Sequence, residues 1–69
     1  MKFGRILKEL RAEKELSQVQ LANETGLSKS AIASWEMSKH EPTASALIIL
    51  AKFFDVTAGQ LLGLEDYLK

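Results

Sequence analysis

Residues 17–36, SQVQLANETGLSKSAIASWE, decide the fold, because they read as two short helices joined by a tight turn. Ser17 stands just before the apolar Val19, Leu21 and Ala22, with Gln20 three residues on. Ser17 and Gln20 can therefore bond each other's free amides as a capping box, and the first helix is predicted to start at Gln18. Gly26 takes positive φ at little steric cost, which a chain needs in order to end one helix and turn within about three residues. Ser28 can then cap a second helix running to Glu36.

Projected at about 3.6 residues per turn, residues 28–37 put Ser28, Ala31, Ile32 and Trp35 on one side and Lys29, Ser30, Ala33, Ser34 and Met37 on the other, with Glu36 at the border. One face is apolar and the other small and polar, without a bulky side chain before Met37. Such a face can come close to a grooved partner, and the DNA major groove, about 12 Å wide, admits a helix. The same pattern also fits an ordinary amphipathic surface helix with a modest outer face, so this helix alone leaves both readings open.

The rest of the chain narrows the choice. Sixty-nine residues suit one domain with a simple helical core. Without cysteine there is neither a disulfide nor a thiolate metal site, which points to a reducing cytosol. Charges at Lys2, Arg5, Lys8 and Glu9 interrupt the first ten residues, so no signal peptide or membrane span is expected, and the cytoplasm is the default location. A formal net charge of zero argues against strong nonspecific attraction to phosphate. The distribution is uneven: residues 1–40 carry seven basic against five acidic side chains, and the acidic excess gathers toward the C-terminus. A DNA-facing end and an opposite acidic end are compatible with that arrangement.

Upstream, residues 2–14 place Phe3, Ile6, Leu7 and Leu10 at helical spacing, with Gly4 weakening only the first turn. Arg11 lies one turn beyond Leu7 on that apolar side, where a charge needs an opposite one, and Glu36 is the candidate. Leu16 plugs the joint before Ser17. Downstream, Pro42 forbids helix and marks a polar loop. Thr43 can cap a helix over 44–54 with a buried stripe of Ala44, Leu47, Ile48, Ala51 and Phe54, widened by Leu50. Thr57 and Gln60 repeat the capping-box pattern before Leu61 and Leu62, and Gly63 ends this fifth helix, over 58–62, ahead of a tail at 63–69. With helices over about 2–14, 18–25, 29–36, 44–54 and 58–62 and no β-type alternation, the fold class is all-α.

In this order LRAEKELSQVQLA, Gly26, SKSAIASWE, Pro42, LIILAKFF and the closing Val56 with LLG resemble the Xre/Cro-CI family of helix-turn-helix repressors over nearly the whole chain. The resemblance implies a compact five-helix bundle of the lambda-repressor-like type, with helices 2 and 3 as the helix-turn-helix. It implies base-edge contacts from Lys29, Ser30, Ala33 and Ser34. Lys can read guanine, Ser bonds to any base, and Ala33 is short enough to meet a thymine methyl. Gln18, at a helix N-terminus, is implied as a phosphate contact together with Ser28 and Lys39. Arg11 and Glu36 take the roles of the family's ion pair between helix 1 and the recognition helix. The family usually has Gly where Ser38 stands, and positive φ there would cost Ser about 1 kcal/mol. Gly is also frequent where Glu15 stands, and a negative charge near the expected DNA side would weaken binding. A prokaryotic or phage protein acting at the nucleoid is implied.

No enzyme is expected: His40 is the single histidine, in a loop, and no phosphate-cradling Gly loop or metal-spaced cluster occurs, so neither metal, cofactor nor small-molecule substrate is anticipated. Leu61, Leu64, Tyr67 and Leu68, with Leu62, exceed the needs of one small core and suggest a two-fold homodimer on duplex DNA. In the alternative, Leu61 and Leu62 finish the monomer core while Tyr67 and Leu68 fold back over it. The rival function is an adaptor or antitoxin-like module that uses the same fold to bind a protein.

Overall fold

The computed structural model describes residues 2–65. Its elements are α1 (Phe3–Glu13), α2 (Gln18–Thr25), α3 (Lys29–Glu36), α4 (Ala44–Phe54) and α5 (Ala58–Leu61), and no strand occurs among the described residues. The all-α bundle read from the sequence is the observed one, with boundaries within a residue of those anticipated.

Each start has its local cause. Ser17 Oγ accepts from the Gln20 amide at 3.0 Å, while Gln20 Oε1 accepts from the Ser17 amide at 2.7 Å. Thr57 and Gln60 form the same box at the head of α5. Ser28 caps α3 through the Ala31 amide, and Thr43 caps α4 through the Ala46 amide. Each such cap is worth about 1 kcal/mol.

The helix ends share a second device. Past α1, Glu15 N–H donates to the Ala12 carbonyl and Leu16 N–H to that of Arg11; past α3, Ser38 and Lys39 donate to Trp35 and Ser34; past α4, Asp55 and Val56 donate to Lys52 and Ala51. These are Schellman closures, which require a left-handed residue. It is Glu15, Ser38 and Asp55, at φ of 57–59°, rather than Gly.

The core runs between all five helices. Phe3, Leu7, Leu21, Ile32, Leu50 and Leu61 are almost wholly excluded from solvent, each such burial contributing roughly 1.5–3 kcal/mol. Trp35 meets Phe3 edge to face at a centroid separation of 5.9 Å. Leu16 and Leu27, on either side of α2, pack against this core from the loops.

Three expectations are corrected here. The buried side of α4 is Ala46, Leu50 and Phe54, with Leu47, Ala51 and Phe53 partly covered, whereas Ala44 is exposed and Ile48 is 56% exposed. The composition of α4 concealed which side faces inward, because Ile48 and Ile49 continue the apolar run onto the outer surface. Gly4 does more than loosen a first turn: it is buried, and a Cβ there would overlap the Trp35 carbonyl oxygen and crowd that of Glu36. Its bare backbone lets α1 lie against the end of α3. Leu61, anticipated at a dimer surface, is fully buried and completes the core.

Candidate nucleic-acid interface

The turn between α2 and α3 is closed by its own backbone and one hydroxyl. Gly26, at φ 78°, donates its N–H to the Ala22 carbonyl at 2.8 Å. Thr25 Oγ1 donates to the Leu21 carbonyl at 2.7 Å and accepts from the Leu27 amide at 3.3 Å. Ile32 and Trp35 then anchor one side of α3 in the core, leaving the other side outward.

On that outer side Lys29 and Ser30 are exposed, Ala33 and Ser34 are half-buried, and Met37 is exposed at the helix end. The four residues anticipated as base-reading therefore share one accessible, low-profile ridge. Ser28 is exposed, and its hydroxyl oxygen accepts from the Ala31 amide, which leaves its hydrogen free to donate outward. Lys39 is exposed in the loop beyond α3.

Behind the ridge, one carboxylate ties three helices together. Arg11 of α1 donates from Nε to Glu36 Oε2 at 2.7 Å and from Nη2 to Glu36 Oε1 at 2.9 Å, and from Nη1 to the Leu16 carbonyl at 2.8 Å. Gln18, the first residue of α2, donates from Nε2 to the same Glu36 Oε1 at 3.0 Å. Burial by itself would raise the Glu36 carboxyl, but the hydrogen bonds from Arg11 and Gln18, with the charges of Arg11 and Lys8, outweigh it and hold the group below the usual carboxylate range. The hydrogen bond to Glu36, with its charge, raises Arg11 against the opposing effect of burial. The Arg11 and Glu36 pair anticipated from the sequence is thus present, and Gln18 is its unanticipated third member. Gln18 and Glu36 lie on different helices, 18 positions apart in sequence, and no periodicity could have linked them.

One further contact escaped the sequence. Ser34 Oγ and His40 Nδ1 lie 3.0 Å apart at the edge of the ridge. Of the residues assigned to a dimer, Leu64 is 79% exposed, while Tyr67 and Leu68 lie outside the described residues.

Comparison with known proteins shows what the chain is similar to in sequence. The HTH-type transcriptional activator BcrR of Enterococcus faecalis is 41% identical over 66 residues, covering 96% of this chain and 32% of that protein. The immunity repressor protein of Bacillus phage phi105 is 33% identical over 69 residues, covering all of this chain and 48% of the repressor. The HTH-type transcriptional regulator AnsR of Bacillus subtilis is 41% identical over 59 residues, covering 86% and 51%. This chain thus spans about a third to a half of these relatives. No solved structure matches it significantly. A family model described as helix-turn-helix matches residues 7–61, which take in the Arg11–Glu36 pair, the Gly26 turn and the α3 ridge, and the chain belongs to that helix-turn-helix family.

Proposed function

We propose that this chain is the DNA-binding part of a transcriptional regulator, acting by sequence-specific binding of duplex DNA and not by catalysis. The observation that carries the reading is the accessible ridge of α3 beside the Gly26 turn, and the major groove admits a helix. Lys29, Ser30, Ala33 and Ser34 face base edges in this reading, and Ser28, Lys39 and the second amide hydrogen of Gln18 meet phosphates. A repressor by this account blocks transcription by occupying its operator. The relatives include both an activator and a repressor by name.

The chain acts as a homodimer in this proposal, with the exposed Leu64 at the contact. Two α3 ridges about 34 Å apart would match half-sites one helical turn apart. A solution mass at tens of micromolar equal to a single chain would remove the dimer and leave the DNA reading standing.

Selection of bound duplexes from a random pool, repeated at two salt concentrations, tests the function. Recovery of one sequence motif is the expected result, with affinity falling steeply as salt rises through counterion release. Ser34→Ala or Lys29→Ala should then relax discrimination by roughly 1–3 kcal/mol without altering the fold. Exposed Val19, Ile48 and Ile49 favour a second reading, an adaptor or antitoxin-like module that grips a protein. Binding that ignores salt and yields no motif would select it.

A further inference from the structure

His40 sits in the loop beyond α3, where the reversal at Ser38 (φ 59°) and the bond from Lys39 N–H to the Ser34 carbonyl at 2.9 Å fold the chain back along the helix. The fold-back brings His40 Nδ1 to 3.0 Å from Ser34 Oγ. His40 also lines a shallow hollow with Phe3, Gly4 and Trp35, with Lys39 and Glu41 on either side of it in sequence.

A free serine hydroxyl rotates, carries one hydrogen and two lone pairs, and so accepts any base edge. A partner on one side removes that freedom. When Nδ1 is without hydrogen, Ser34 donates to it and only lone pairs face outward, toward an amine on adenine or cytosine. When Nδ1 carries hydrogen, His40 donates and the hydroxyl hydrogen is released outward, toward an acceptor on guanine, thymine or adenine N7 and away from cytosine, which offers none. In both cases the ring decides what Ser34 offers.

Resting on the groove-binding reading above, we propose that His40 is a specificity-determining positioning residue: its Nδ1 bond to Ser34 orients that hydroxyl and gives the operator position facing Ser34 a base preference. His40 itself touches no base in this account. Water exclusion on docking strengthens the bond, because a hydrogen bond gains electrostatic weight where the local dielectric falls.

The test uses the full chain and the duplex it selects from a random pool, with every operator position varied in turn. Ser34→Ala and His40→Ala should each flatten discrimination about fivefold, the equivalent of one hydrogen bond, at the same single position. The double variant should lose no more than either alone, and His40→Asn, whose amide can occupy the place of Nδ1, should keep the preference. Lys39→Ala should weaken all duplexes alike. Uniform weakening by His40→Ala, or intact discrimination at the Ser34 position, overturns the proposal while the DNA reading survives. If the parent selects no motif at all, the groove-binding reading falls and this inference with it.

Discussion

Arg11 on α1 and Glu36 at the end of α3 are joined by two hydrogen bonds across 25 residues of chain, and the Glu36 side chain is only 4% exposed. A carboxylate so placed depends on its partner. Arg11→Ala should destabilise the fold by about 3 kcal/mol, because a nearly buried charge is left with Gln18 as its remaining donor. Arg11→Lys should recover only part of this, since an ammonium cannot make the fork or reach the Leu16 carbonyl at the same time. Thermal melts of the three proteins check it; equal midpoints would remove the pair from the account of stability.

The same carboxylate predicts an acid limb. Glu36 is held below its ordinary value of 4.5 in the folded chain, so the unfolded chain takes up its proton first as pH falls. Its contribution is fully present above pH 4.5 and is lost as pH falls further, through the folded value. Denaturation midpoints followed from pH 6 to pH 2 should therefore decline less steeply in Glu36→Gln than in the parent, from a lower starting stability. Parallel curves would show that other carboxylates set the acid response.

Two positions invite stabilisation. Ser38 and Glu15 hold left-handed conformations at φ 59° and 58°, each at a cost that Gly does not meet. Ser38→Gly and Glu15→Gly should each add about 1 kcal/mol, somewhat offset by the freedom Gly gains in the unfolded chain. Chemical denaturation at constant slope would register both gains, and unchanged midpoints would contradict the strain argument.

Gly4 and Gly26 should respond to alanine for different reasons. At Gly4 alanine is the better helix former, yet its methyl meets the Trp35 carbonyl, so Gly4→Ala should cost roughly 1–3 kcal/mol through overpacking. At Gly26 nothing lies within 4 Å of an added Cβ, and the cost of Gly26→Ala, about 1 kcal/mol, comes from φ alone. Near-ultraviolet circular dichroism of Trp35 separates them, since only the Gly4 variant should disturb its packing.

For the DNA-binding reading, Lys39→Ala should weaken binding evenly across sequences and lower the salt slope by about one, as expected for one lost phosphate contact. A change in sequence preference with the slope intact would instead place Lys39 on a base.

The sequence alone determined the five helices and the turn at Gly26. The signals there are local: a hydroxyl before an apolar run, a Gln three residues on, and a glycine able to take φ 78°. It also determined which side of α3 faces outward, since Ile32 and Trp35 cannot be left in water while Lys29 and Ser30 can. The Arg11–Glu36 pair was legible because a lone charge on an apolar stripe demands a partner. Only tertiary structure decided which side of α4 is buried, because an apolar residue occurs on nearly every side of that helix and its sequence then carries no direction. Tertiary structure also decided that Leu61 belongs to the core, that Gly4 admits the end of α3, and that Gln18 and His40 find Glu36 and Ser34. These last contacts depend on the angle between helices, set by the shapes that fill the core and encoded in no single stretch of residues.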